Sequence, residues 1–160
     1  MKAVTIRPAR AADIGEILRL ISGSNLSSWS REDLETDSRD SRSFVLVAER
    51  EGDIGVCGFA HARSVPSNLA EGGNELEICN IAIDPNSRRK RIGNQLLSEL
   101  VRRSSHLSPK MIRLEVRASN SNAIRFYGAF GFRTCGIRKS YYEAPAEDAL
   151  LMSLRPEQRK

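Results

Sequence analysis

The chain has 160 residues, 40% hydrophobic and 28% charged, the balance of an ordinary globular domain with a proper core. The 25 Lys and Arg against 20 Asp and Glu leave a formal charge of +5, which favours anionic partners such as a phosphorylated cofactor, RNA or a ribosomal surface without choosing among them. No apolar run approaches the roughly 20 residues of a membrane span; the first five residues lack a signal-peptide core; and Cys57, Cys79 and Cys135, with only His61 and His106, suit neither zinc nor a redox pair. The expectation is a single domain spanning 1–160 in a reducing cytoplasm, with no metal and no membrane.

In chain order, Val4-Thr5-Ile6 reads as a short strand that stops near Pro8. Ile14, Ile17, Leu18 and Ile21 recur at helical spacing, predicting a helix over 11–22 that Gly23 ends. A polar loop carrying Leu26 leads to Trp29, which reads either as an anchor for that loop or as the wall of a binding channel. Ser30-Arg31-Glu32-Asp33 resembles a capping box and opens a short helix through Leu34. Ser43 to Arg50 and Ile54 to Ala62 form a hairpin around Glu51-Gly52-Asp53, with Gly55 and Gly58 marking a bulge or a close backbone approach. After a loop over 64–74 comes a strand with Leu76, Ile78, Ile81, Ala82 and Ile83. Asp84-Pro85-Asn86-Ser87 breaks it, the basic run Arg88-Arg89-Lys90-Arg91 follows, and Ile92, Leu96, Leu97, Leu100 and Val101 lie on one face of a helix. Met111 to Arg117 is a strand with Ile112, Leu114 and Val116 alternating. Asn120 to Phe130 is a helix stopped by Gly131. Strands over 132–142 and 149–154 and a polar tail over 156–160 complete the chain.

The resulting order, β α α β β β α β α β β, predicts an α/β fold: a mixed sheet of about seven strands with helices on both faces. Strand–helix–strand units argue for parallel pairing in the middle and the hairpin for antiparallel pairing at one side. The basic turn before the third helix has the makings of an anion site, because a helix N-terminus exposes unpaired N–H groups and positive charge. Read by itself it is equally a solvated surface turn. It carries no Walker lysine motif and only one glycine of a dinucleotide fingerprint.

The next residues carry a resemblance. Leu114-Glu115-Val116-Arg117-Ala118-Ser119-Asn120 leads into Ala123 and Tyr127, then Phe130-Gly131-Phe132. Together with Asn80-Ile81-Ala82-Ile83-Asp84-Pro85 and the basic turn, this resembles the GCN5-related N-acetyltransferase (GNAT) family over nearly the whole chain. Trp29-Ser30, Ser140-Tyr141-Tyr142 and Glu147 to Met152 are similar to its members that acetylate the N-terminal alanine of a small-subunit ribosomal protein. The family loop usually has glycine where this chain has Arg91. A left-handed backbone there would strain Arg91 by about 1 kcal/mol; any other backbone would only add a cation.

The resemblance implies acetyl-CoA as donor, a protein N-terminus as acceptor, no direct nucleic-acid partner, and direct attack in a ternary complex. Glu115 is the implied general base and Tyr127 the implied acid for the departing thiolate. The backbone of Ile81, Ala82 and Ile83 would pair with the pantetheine arm, and Arg89, Lys90, Arg91, Ile92, Gly93 and Asn94 would cradle the pyrophosphate. Asn120 would bind the pantetheine portion, and Glu32, Glu77, Tyr141 and Tyr142 would line the acceptor channel. By alternation alone, Glu115 is a solvent-facing strand residue and Tyr127 a core tyrosine. Two other functions stay open: acetylation of another N-terminus, a lysine or a small amine, and an inactive basic ribosome- or RNA-binding module.

Overall fold

The computed structural model describes residues 2–24 and 28–158. The expected loop around Leu26 and the end of the polar tail lie outside them. The strands are β1 (Val4–Pro8), β2 (Ser43–Arg50), β3 (Val56–Pro66), β4 (Asn74–Ile83), β5 (Met111–Arg117), β6 (Arg133–Glu143) and β7 (Ala146–Leu154). The helices are α1 (Ile14–Ser22), α2 (Arg31–Arg39), α3 (Ile92–Ser104) and α4 (Ser121–Phe130). All seven strands form one mixed sheet in the order β1-β2-β3-β4-β5-β7-β6. The predicted fold class and element order stand. Among the described residues no helix is long and apolar enough to cross a membrane.

The chain divides into two units, one of residues 1–64 with 79–107 and one of residues 65–78 with 108–160. In the first, β1, β2 and β3 pair antiparallel, with Val47 opposite Phe59. Val45, Val47 and Phe59 pack with Ile14, Ile17 and Ile21 of α1 and Leu34 of α2. Gly58 lies on the other face. A Cβ there would stand 2.8 Å from Ile83 Cδ1, 3.2 Å from the Ala82 carbonyl and 3.4 Å from Leu96 Cδ1 of α3. Only glycine lets helix and strand approach so closely, and helices therefore cover both faces of this unit. The ladder also slips at Ala48/Glu49, opposite that glycine segment.

Some boundaries differ from the predicted ones. The second hairpin strand runs Val56–Pro66, and Ile54 stands fully exposed in the turn before it. Helix α2 continues past Leu34 to Arg39, because Leu34 and Asp37, one turn apart, both face inward. Its capping box is present: the Ser30 hydroxyl accepts from the Asp33 N–H at 3.0 Å, and the Ser30 N–H donates to the Asp33 carboxylate at 3.1 Å.

Asp37 belongs to a buried polar knot that the sequence did not announce. Its carboxylate accepts from His61 Nε2 at 2.6 Å and from Arg63 Nε at 2.6 Å. Trp29 stacks edge-on against His61, with ring centroids 4.4 Å apart, and the Arg63 guanidinium lies 4.4 Å above the indole. The indole Nε1 lies 2.7 Å from the buried Asn80 side-chain amide, which accepts from it when its oxygen is turned toward the ring. Trp29 thus anchors the start of α2 to β3 and β4.

In the second unit the first half of β4 runs parallel to β5, from Glu75 opposite Met111 to Ile78 opposite Leu114. Helix α4 ends at Gly131, whose φ of 121° suits only glycine. The second strand–helix–strand unit does not pair its strands directly as expected. β7 inserts between β5 and β6, antiparallel to both. Phe130 and Phe132 pack with centroids 6.1 Å apart, and Leu114, Val116, Met152 and Leu154 are buried.

The buried knot makes stability depend on pH. Burial lowers the His61 pKa, outweighing the Asp37 carboxylate that would raise it. Below about 6.5 the unfolded histidine takes a proton that the folded one refuses, so stability falls as pH drops through that range and on to the folded pKa. Urea midpoints should decrease from about pH 7.5 to about pH 5, and His61→Gln should flatten that slope. A wild-type midpoint constant over this range rejects the assignment.

Candidate active site

The first unit holds the basic turn before α3. The last β5 partner of β4 is Ile78, and β4 runs on through Ile81, Ala82 and Ile83 past the end of that ladder. Among the described residues the β4–β5 ladder does not include Ile81, Ala82 or Ile83. The Asp84 carboxylate accepts from Asn86 N–H at 3.0 Å, closing a single helical turn over Pro85–Ser87. The chain then kinks twice through the left-handed region, at Arg89 and at Arg91, each with φ 61°. Arg91 is the residue before α3 and gives that helix no side-chain cap. The first N–H groups of α3 therefore remain open to an incoming anion. Arg88 Nε donates to the Ile83 carbonyl at 3.3 Å and Lys90 Nζ to the Asn86 carbonyl at 2.8 Å, bracing the turn. Arg89 and Arg91 are exposed and have no ion pair among the described residues. The left-handed alternative for Arg91 holds, and a second arginine shares it.

The second unit holds Glu115. On β5 the residues Ile112, Leu114 and Val116 are buried, and Arg113, Glu115 and Arg117 point the other way. Arg138 of β6 reaches Glu115, Nη1 to Oε1 at 3.2 Å. The Tyr141 phenol also faces this carboxylate. Their hydrogen bond, and then burial, push Tyr141 up to about 12. Tyr142 lies under the Arg117 guanidinium at 4.1 Å, and its pKa is raised by burial and by the Glu115 charge.

Tyr127, on α4, is buried, its ring edge-on to Phe132 at 5.6 Å. Its hydroxyl finds no hydrogen-bond partner among the described residues. Desolvation, with a smaller contribution from Tyr142, raises its pKa well above the ordinary phenol. It is a neutral proton donor at any physiological pH, without an acceptor among the described residues. Asn120 caps α4, its Oδ1 accepting from the Ala123 N–H at 3.1 Å, which leaves its amide nitrogen to donate elsewhere.

Tyr141 and Tyr142 thus gather at Glu115. Glu32 is exposed on α2 in the other unit, and Glu77 is exposed on β4. Sequence reasoning missed Arg138, Arg117 and Asp148. Asp148 braces a bulge in β6, where the register jumps between Arg138 and Tyr142 and Ser140 takes φ 51°. The Asp148 carboxylate accepts from the Ser140 N–H at 2.8 Å and from Lys139 Nζ at 3.3 Å. This pucker brings Tyr141 to Glu115. A polar Lys-Ser pair interrupting a strand, with Glu-Asp at the start of the next, was the available signal.

Residues 14–132 match the model of the acetyltransferase (GNAT) family. A Bacillus subtilis (strain 168) protein provisionally named as a ribosomal protein bS18-alanine N-acetyltransferase is 30% identical over 149 residues, covering 92% of each chain. The crystal structure of the ribosomal-protein-S18-alanine N-acetyltransferase from Escherichia coli superposes with a TM-score of 0.77 at 26% identity, covering 96% of this chain and 94% of that one. Arabidopsis thaliana NAA60 in complex with acetyl-CoA shares the fold, with a TM-score of 0.87 at 18% identity over 96% of this chain and 98% of that one. The chain belongs to the GNAT family of acetyltransferases, and acetyl-CoA is its donor.

Two structural outcomes follow from the turn and the bulge. Arg91→Gly relieves a left-handed arginine and should stabilise the fold by about 1 kcal/mol, raising Tm by about 2–4 °C; an unchanged or lower Tm contradicts the strain. Asp148→Ala should speed amide hydrogen exchange at Ser140 about tenfold or more while leaving the amides of β5 protected. Equal exchange at Ser140 would show that the bulge holds itself.

Proposed function

We propose that this enzyme acetylates the N-terminal α-amine of a protein, with the N-terminal alanine of a small-subunit ribosomal protein as acceptor. The carrying observation is Glu115: a carboxylate on the side of β5 opposite the core, faced by Tyr141 and Arg138 and near enough to Tyr142 to raise its pKa. The names of the bacterial relatives support the acceptor class. In this reading residues 1–160 work as one acetyltransferase domain, in the cytoplasm where that acceptor is made.

The acceptor arrives as an ammonium. An N-terminal amine has a pKa of about 8, so a carboxylate within hydrogen-bond reach has little work to do in taking its proton. Glu115 takes it directly or through one water. The free amine attacks the thioester carbonyl carbon; a C–N bond forms, the C–S bond breaks, sulfur leaves with the electron pair, and the nitrogen sheds its second proton to water as the neutral amide forms. Tyr127 gives its proton to that thiolate and recovers one from water. The apolar surroundings that raise the Tyr127 phenol also penalise a thiolate beside it, which favours protonation of the sulfur. The backbone of Ile81, Ala82 and Ile83 takes the pantetheine arm as an added strand. Arg89, Lys90, Arg91 and the first N–H groups of Ile92, Gly93 and Asn94 take the pyrophosphate, and Asn120 donates to the pantetheine portion. An acyl-enzyme on Cys57 is disfavoured, since that thiol is buried and its pKa raised by burial.

The test is acetyl transfer to three peptides: one beginning with the ribosomal protein's alanine, one with that amine blocked but carrying lysines, and one beginning with another residue. Transfer to the first alone supports the reading. Transfer to the blocked peptide moves the acceptor to lysine and sinks it. Glu115→Gln should cut kcat on the order of 100-fold, most severely at low pH where the amine is most protonated. Tyr127→Phe should lower kcat with acetyl-CoA affinity kept. Wild-type turnover in either variant removes that residue's role.

A further inference from the structure

Glu115 and Arg138 belong to strands that are not neighbours, since β7 runs between β5 and β6. The register explains how they meet. Arg117, Ala149 and Arg138 form one row across the three strands, and Glu115, Leu151 and Gly136 form the next. Residues directly opposite one another share a face, so Arg138 and Glu115 stand on one face, on the diagonal. The residue between Arg138 and β5 is Ala149, with a single methyl group. A larger side chain there would fill the path; alanine lets the guanidinium lie across the middle strand.

The two ends of this bridge are unequal. The arginine side chain is 56% exposed, the glutamate 22%. The guanidinium lies 5.4 Å above the Tyr141 ring, a loose contact. The carboxylate also has Tyr141 for a hydrogen-bond partner and so does not rely on the arginine alone. A long, half-hydrated side chain with one bond at 3.2 Å can leave at small cost. The position it vacates is the one a cationic hydrogen-bond donor wants beside a carboxylate.

We propose that Arg138 is a resident cation on Glu115 that the acceptor's ammonium displaces, so that acceptor binding is an exchange of one cation for another at a single carboxylate. This rests on the reading of Glu115 as the base. Arg138 is then a specificity-determining residue. It holds a place that a neutral terminus cannot claim, and it lets go of the acetylated product, which has no ammonium to compete with it. No proton or covalent bond changes hands in the exchange; the guanidinium moves to solvent as the ammonium arrives.

The experiment compares wild type, Arg138→Ala and Arg138→Lys. Binding of the alanine-initial peptide and of its N-acetylated form is measured with coenzyme A present, and turnover is followed in parallel. Removing the competitor should tighten the free-amine peptide about three- to fivefold, the factor for one half-exposed ion pair. The acetylated peptide should bind all three proteins alike. Salt supplies a second readout. In wild type one cation replaces another, so affinity should vary little with ionic strength. In Arg138→Ala the ammonium meets an uncompensated carboxylate, and affinity should fall as salt rises. Equal affinity of the free amine in wild type and Arg138→Ala, or weaker binding in the variant, overturns the exchange. Wild-type enzyme that binds the peptide but acetylates no α-amine overturns the acceptor reading itself, and the exchange with it; turnover with unaltered binding overturns the exchange alone.

Discussion

The period of two along β5 is the constraint on which the site depends. Seven residues must hold a core and offer polar groups at once, and a strand does both by alternating. Ile112, Leu114 and Val116 are buried on one side. On the other side each polar group is engaged by a different element: Arg113 pairs with Glu75 of β4, Glu115 with Arg138 of β6, and Arg117 with Glu147 of β7. A slip of one residue would bury three charges and expose three aliphatic side chains, so the register is fixed by hydrophobic burial and the chemistry inherits its position. The row is cation, anion, cation, with the carboxylate in the centre.

Local pattern made the elements legible. Apolar spacing marked three of the helices, the Ser30–Asp33 cap marked the second, Gly131 marked a helix end, and Glu115 and Tyr127 stood out through the motif they share. What escaped was long-range. That β7 enters between β5 and β6 is a matter of pairing, and nothing within either strand states it. Arg138 therefore reads as one more exposed arginine until Ala149 is known to lie beside it. The knot around Asp37 joins residues 29, 37, 61, 63 and 80, which share no local spacing. Asp37 falls past the predicted end of the second helix at Leu34, and its partners His61 and Arg63 sit on β3.

The turn before α3 places arginines at two left-handed positions. Two cations without carboxylate partners among the described residues, next to a helix N-terminus, make an attractive place for phosphate oxygens. Conformational strain in the empty state and electrostatic gain in the loaded one have opposite signs, so a substitution that eases folding need not ease binding.

Strand β6 closes the sheet with eleven residues exposed almost throughout, among them Ile137. A long, regular edge of this kind is a template on which another chain's strand could hydrogen-bond. The pucker at Lys139–Tyr141, with a second register slip beside Cys135, keeps the edge from presenting an unbroken row of donors and acceptors. Arg133, Arg138 and Lys139 add like charge along it. The bend that aims a tyrosine at a carboxylate thus also spoils the edge for self-association, and a variant with a straightened β6 would face aggregation before it faced any question of catalysis.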